Sequence, residues 1–243
     1  MKIWLAKAAR WMFELMLPPR CAGCGCPVDA NHTLCPACFG NLDFITPPLC
    51  PCCGVPLPAA GSPYLICARC LETKDRHLDF ARSRVVYNSG AMRLIFAFKY
   101  HDRTELAPLM AKFIRGIPGL DLGGLALVTG VPLHRSRLRE RKYNQSMMLA
   151  REFADLAGLR CCPDIVVRSR ATPPQTELDY RRRQQNVKGA FRVPHPDAVK
   201  GQGVLLIDDV ITTGAKLEEC ARALKKAGAA KVAALTFART VLS

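Results

Sequence analysis

The pattern of apolar and polar positions changes character twice along the chain. At the N-terminus Trp4, Leu5, Trp11 and Leu15 recur among Lys7, Arg10 and Glu14. That predicts a short amphipathic helix over residues 1–20. Pro18-Pro19 stops it, because proline has no amide N–H to donate and its ring clashes with the preceding turn. The segment from Cys21 to Cys70 is punctuated by cysteines instead. Beyond it, short apolar runs alternate with helical patterns. Leu125 to His134 reads as a short apolar strand ending in a turn, followed by a helix with Met148, Leu149, Phe153 and Leu156 on one face. Val204–Ile207 is a four-residue apolar run suited to a buried parallel strand. A helix follows over 216–227, with Leu217, Cys220, Ala221 and Leu224 at helical spacing and Gly228 closing it; Lys231–Phe237 is the next strand. Strands alternating with helices predict an α/β fold on a parallel sheet. Arg168 to Phe191 breaks the pattern. It is polar and Arg-rich with a Pro173-Pro174 pair, and reads as a mobile loop with a helical part.

Composition sharpens this division. With 243 residues, 49% hydrophobic and 23% charged, the chain is globular, not disordered or fibrous. The formal net charge of +15 calls for an anionic partner: nucleic acid, a phosphorylated ligand or a lipid headgroup. That charge is uneven. Residues 76–200 hold 23 Lys/Arg against 11 Asp/Glu, whereas residues 1–75 hold six against five. Ten of the 13 cysteines lie in 21–70. The expected organisation is therefore a helix over 1–20, a cysteine-rich module over 21–75 and a basic α/β domain over 80–243. No stretch offers the roughly 20 apolar residues of a membrane span, and the N-terminal segment lacks the unbroken core of a signal peptide. The expected location is cytoplasmic, where cysteines are thiols or metal ligands, not disulfides.

The cysteines form four CxxC pairs: Cys21/Cys24, Cys35/Cys38, Cys50/Cys53 and Cys67/Cys70. A CxxC turn aims two sulfurs at one ion, and two turns complete a tetrahedral site closed to other ligands. Gly25 and Gly54 follow the second cysteine of a pair, where a tight knuckle needs positive φ. Two structural Zn²⁺ ions are expected. In sequential ligation Cys21, Cys24, Cys35 and Cys38 hold one, and Cys50, Cys53, Cys67 and Cys70 the other. An interleaved cross-brace satisfies the same spacing. Cys26 and Cys52 are left over.

The second motif follows the Val204–Ile207 run: Asp208-Asp209-Val210-Ile211-Thr212-Thr213-Gly214-Ala215-Lys216. Amides after a strand, leading into a helix N-terminus, form an anion site. Two carboxylates beside it would repel a bare phosphate, but they accept hydrogen bonds from neighbouring hydroxyls. A phosphate next to a diol describes a ribose 5-phosphate.

Leu205–Gly214 resembles the phosphoribosyl pyrophosphate (PRPP) motif of type I phosphoribosyltransferases. With the CxxC pairs, Val131-Pro132-Leu133-His134, Arg141-Lys142-Tyr143-Asn144-Gln145, Arg168 with Gln175, Arg181 with Asn186, Gly189-Ala190-Phe191 and the Tyr87–Tyr100 stretch, the chain resembles the ComF family from Cys21 onward. That resemblance implies a double zinc ribbon followed by a type I phosphoribosyltransferase-like parallel sheet flanked by helices. It implies that Asp208 and Asp209 hold the ribose hydroxyls and orient Mg²⁺ through water, and that Val210 to Gly214, with Ala215 and Lys216, meet the 5-phosphate. Val131, Pro132, Leu133 and His134 would form the pyrophosphate turn, Lys99, Arg137 and Arg141 would be phosphate contacts, and 168–190 would be a hood over PRPP. The family's association with natural competence adds single-stranded DNA and competence proteins as partners. Two positions depart from the pattern: Lys142 stands where glycine is common, and Lys216 where a threonine hydroxyl often meets the phosphate.

Overall fold

A computed structural model describes residues 18–58, 65–73, 75–170 and 187–241. The helix expected over 1–20 lies almost wholly outside the described residues, as do Gln175, Arg181, Asn186 and most of the expected hood.

The cysteine-rich segment carries two one-turn helices, α1 (Pro36–Gly40) and α2 (Ala68–Glu72). After it come β1 (Phe80–Val86), α3 (Ser89–Tyr100), α4 (Leu106–Arg115), β2 (Leu127–Gly130), α5 (Arg135–Arg141), α6 (Gln145–Ala157), β3 (Arg160–Cys161), β4 (Val167–Arg168), β5 (Phe191–Arg192), β6 (Gly203–Ile211), α7 (Ala215–Lys226) and β7 (Lys231–Arg239). Five strands form one parallel sheet in the order β1-β7-β6-β2-β3; β4 and β5 pair antiparallel by themselves.

Alternate residues of the central strands serve two cores. Leu205, Ile207, Leu235 and Phe237 face α3, α4 and α6, where Leu94, Phe98, Met110, Ile114, Leu149 and Phe153 are buried. Val204, Leu206, Val232 and Ala234 face Leu217, Cys220, Ala221 and Leu224 of α7. Burying each such large side chain contributes about 1.5–3 kcal/mol. The face expected on α6 holds at Leu149 and Phe153, joined by Ala150 and Ala154, but Leu156 is exposed. Strand β6 runs beyond its apolar run to Ile211, because Asp208, Val210 and Ile211 keep their pairing with β7. The acid pair therefore sits within the strand, and its backbone is held by the sheet.

Neighbouring strands β2 and β6 lead away from each other. From β2 the chain passes through α6 to β3 on one side; from β6 it passes through α7 to β7 on the other. Diverging connections open a crevice at the C-terminal ends of the two strands. Gly130 ends β2 there. A Cβ on it would lie 2.4 Å from the Met147 nitrogen, so glycine lets the N-terminus of α6 press against the strand end.

The cysteine-rich segment covers the open edge of β1. The Ile45 amide donates to the Arg84 carbonyl (2.9 Å), the Val86 amide to Asp43 (2.8 Å) and the Ala81 amide to Cys52 (2.8 Å). Ala22 and Leu42 enter the main core. An uncovered edge strand is a template for pairing with other chains, and this packing removes it.

Candidate functional site

The turns of the first and third CxxC pairs end in a glycine of positive φ, Gly25 at 80° and Gly54 at 72°. The sulfurs of Cys21, Cys24, Cys35 and Cys38 converge within 4.8 Å of one another, and so do those of Cys50, Cys53, Cys67 and Cys70. The sulfurs group in the sequential pattern, not in the interleaved one. Cys24 and Cys35 sulfurs are 3.7 Å apart, as are those of Cys53 and Cys67. A tetrahedron of sulfurs about 2.3 Å from zinc has edges of about 3.8 Å. The clusters thus fit two structural zinc ions. The backbone prepares one thiolate in each. Burial opposes ionisation of Cys21, but N–H groups of Cys35, Cys24 and Gly23 outweigh it and bring the thiol down to about 6. Cys50 reaches about 6 in the same way, with Cys53, Cys67 and Cys52 as donors.

In the crevice, a cavity of about 450 Å³ is lined by Lys99, Val131–Leu133, Arg137, Arg141, Asp208–Val210, Thr212 and Lys216, among others. A smaller concavity adjoins it, formed by Val210 to Leu217 with Asp208. Gly214, at φ 79°, caps the N-terminus of α7 and turns the loop into it. Most residues singled out in the sequence therefore meet at one place. His134 does not line the 450 Å³ cavity. It caps α5, with Nδ1 accepting from the Ser136 amide (3.3 Å), and lines a neighbouring cavity of about 600 Å³.

The segment 141–145 joins the walls. Tyr143 Oη donates to the Phe98 carbonyl (3.4 Å), Gln145 Nε2 to the Lys99 carbonyl (3.3 Å) and Asn144 Nδ2 to the Val131 carbonyl (3.2 Å). The last turn of α3, the start of α6 and the turn after β2 are thereby fastened together, and Lys99 is aimed at Asp209.

The acid pair is buried and paired with lysines. Asp208 Oδ1 accepts from Ser146 Oγ (2.7 Å) and the Asp209 amide (3.0 Å), and its Oδ2 accepts from Lys216 Nζ (2.9 Å). Asp209 Oδ2 lies against the Lys99 ammonium, although it takes no well-aligned hydrogen bond among the described residues. Burial pushes both carboxyls up, with opposite outcomes. For Asp208 the Lys216 charge and the hydrogen bonds from Lys216 and Ser146 win, and its pKa falls below the ordinary value. For Asp209 burial and the neighbouring Asp208 charge outweigh Lys99, and its pKa rises. Burial disfavours the Lys216 ammonium, but the two carboxylates raise its pKa. Both Asp208 oxygens hold donors and Asp209 Oδ2 faces an ammonium, so the acid pair as built does not offer these oxygens as direct ligands to a protein-bound magnesium ion. Ser146, absent from the sequence-derived site, carried one signal: it precedes Leu149, Ala150 and Phe153 at helical spacing on a buried face.

A double zinc ribbon domain family matches residues 12–71, and a phosphoribosyl transferase domain family matches 145–240. The DNA utilization protein YhgH of Salmonella typhi is 33% identical over 228 residues, covering 91% of this chain and 90% of that protein. The chain belongs to the ComF family. The YhgH protein of Escherichia coli K12 is 31% identical over the same shares, and competence protein F of Haemophilus influenzae is 34% identical over 110 residues, 45% of this chain and 48% of that one. Among solved structures, glutamine PRPP amidotransferase from B. subtilis superposes with a TM-score of 0.39 at 17% identity, over 57% of this chain and 30% of that chain. The parallel sheet flanked by helices is of the phosphoribosyltransferase type. One departure from the ComF pattern now has a geometric setting. Lys142 ends α5 at φ 64°, the left-handed region that glycine enters without penalty.

Proposed function

We propose that the crevice binds the ribose 5-phosphate part of PRPP and serves pentosyl transfer to an acceptor. The observation that carries this reading is the adjacency, at diverging strand ends, of a buried acid pair and a loop entering a helix N-terminus. On this reading the amides and hydroxyls of Thr212 to Gly214 hold the 5-phosphate, and Asp208 and Asp209 accept the ribose hydroxyls. Val131 to Leu133 with Lys99, Arg137 and Arg141 hold the diphosphate. The bond from C1 to the diphosphate oxygen breaks, the electron pair leaves with the diphosphate, and positive charge develops on the ribose. The acceptor forms the new bond to C1 and loses its proton. The chain's contribution is positioning and neutralisation of the leaving group. Magnesium enters as counter-ion of the ligand's own diphosphate.

Calorimetry of zinc-loaded protein tests the site. Asp208→Asn with Asp209→Asn makes the cavity more positive, which favours any anion, so the readout is PRPP affinity relative to pyrophosphate. That preference is expected to fall by about tenfold or more. An unchanged preference overturns the diol assignment.

A second reading makes the chain a handler of single-stranded DNA, with the PRPP site as sensor or relic. The names of its relatives, a DNA utilization protein and a competence protein, point this way. A specific observation favours it too. Met92, Phe96 and Tyr100 form an exposed stripe on α3, with the Phe96 and Tyr100 rings 4.7 Å apart and the Arg141 guanidinium 5.0 Å from the Tyr100 ring. Exposed aromatics beside cations form a stacking surface for unpaired bases. Binding of an oligothymidylate should fall steeply with salt and weaken in Phe96→Ala with Tyr100→Ala. No binding at low salt removes this reading.

A further inference from the structure

The acid pair is charge-compensated before any ligand arrives. Lys216 meets Asp208, and Lys99 meets Asp209. The side chains of both aspartates are 3% exposed, so their charges are not left to solvent. Where such a pair holds a divalent cation, oxygen lone pairs must face the metal at about 2.0–2.1 Å. Here an ammonium lies 2.9 Å from Asp208 Oδ2, and the Asp208 Oδ1 already takes two donors. A metal ligated by Asp208 Oδ2 would have to displace Lys216 from a buried carboxylate, and one ligated by Asp209 Oδ2 would have to displace Lys99.

Lys216 is also placed to do more than neutralise. It belongs to the first turn of α7, two residues after Gly214, and lines both the 450 Å³ cavity and the smaller concavity of the 210–217 loop. Its side chain is 32% exposed, so it is open toward the cavity. An ammonium carries three donors, and Asp208 takes one. The same residue therefore joins the carboxylate that would face a sugar hydroxyl to the concavity of the loop that would cradle a phosphate. That bridging is what a divalent cation does between an acid and a phosphate. Across the lining of the 450 Å³ cavity, five cations (Lys99, Arg137, Arg141, Arg168 and Lys216) face three carboxylates (Glu140, Asp208 and Asp209), a balance that suits an anion without an added metal.

We infer that Lys216 takes the place of a divalent cation at the acid pair, so that this site holds a ribose 5-phosphate without protein-bound metal. The inference rests on the ribose-phosphate reading of the crevice and names the residue that sets its metal requirement.

The test is titration calorimetry of zinc-loaded full-length protein with ribose 5-phosphate, in magnesium-free buffer and with magnesium added. This ligand lacks the diphosphate that chelates magnesium, so any effect of the ion reports on the protein. Wild-type affinity is expected to change by less than about twofold, and that of Lys216→Arg likewise, whereas Lys216→Thr should bind at least about tenfold tighter with magnesium. A wild-type protein that binds only when magnesium is present overturns the inference and leaves the ribose-phosphate reading standing. Absence of binding under both conditions overturns both. Manganese resonance of the ligand-free, zinc-loaded wild type gives an independent readout: no ion bound at the crevice is expected, and an ion lost on Asp208→Asn contradicts the inference even if Lys216→Thr fails to fold.

Discussion

In the ribbon, eight cysteine sulfurs converge in two groups of four on short turns; neither α1 nor α2 buries a single residue, and the segment's apolar packing is limited to a few side chains such as Ala22 and Leu42 set against the main core. In the crevice, two aspartates stand on a strand whose residues from Gly203 to Asp209 are all buried, between two layers of helices. One region is held by coordination and the other by the hydrophobic effect. The two also manage charge differently. The ribbon gathers thiolates that need an ion from outside, whereas the crevice supplies its own cations from α3 and α7. A functional group in the ribbon is thus as stable as its metal, and one in the crevice as stable as the sheet.

The largest expected effect separates the two regions directly. Structural zinc contributes roughly 10–16 kcal/mol of apparent binding energy in small ribbons, so chelation should unfold residues 20–58 and 65–72 while the central strands persist. Hydrogen exchange would show lost protection at Ile45 and Ala81, whose amides belong to the ribbon–β1 contact, with protection kept in β6 and β7. Exposing the β1 edge should also promote association. Simultaneous loss of β6 protection would mean that the regions fold as one.

Next in size is Phe237→Ala. Its ring is fully buried on the sheet and packs 5.9 Å from Phe113, so truncation should cost about 3–5 kcal/mol in denaturant unfolding and leave zinc content unchanged. Ser146→Ala comes third. It removes the hydroxyl donor to a buried carboxylate and should cost about 2 kcal/mol at neutral pH. The sign of its pH dependence follows from Asp208, whose folded pKa lies below the ordinary 3.8. Stability from that carboxylate is present above the unfolded value and lost as pH falls through the folded one, so the gap between wild type and Ser146→Ala should close below about pH 4. A gap that widens in acid contradicts the assignment. The smallest effect is a gain. Lys142 occupies a left-handed conformation that costs a side-chain-bearing residue about 1–2 kcal/mol. Lys142→Gly should raise stability by about 1 kcal/mol. The ion pair it gives up, with Asp102 at 3.6 Å, is exposed on both sides and contributes little.

The two regions were unequally legible in the sequence. CxxC spacing is local, so the eight cysteines could be read off directly; only the choice between sequential and interleaved grouping waited on the fold. The strand–loop–helix around Asp208 was legible for the same reason. What the sequence hid were contacts between distant segments. Ser146 reaches Asp208 across 62 positions, and Lys99 reaches Asp209 from the end of α3. The reach of β6 to Ile211 was also hidden, since pairing with β7, not apolar pattern, sustains it. His134 adds a contact that its motif does not announce: its ring caps α5. The ribbon's seat on β1 left no periodic trace, because its contacts along the strand are largely backbone hydrogen bonds.

The central claim is that the ends of β2 and β6 form a ribose-phosphate site, and amide chemical-shift mapping of zinc-loaded protein with ribose 5-phosphate tests it most directly. The account predicts shifts concentrated at Asp208 to Lys216, with weaker ones at Val131 to Arg137. Shifts confined to the ribbon or to the Met92–Tyr100 stripe, with the loop after β6 unmoved, would contradict it.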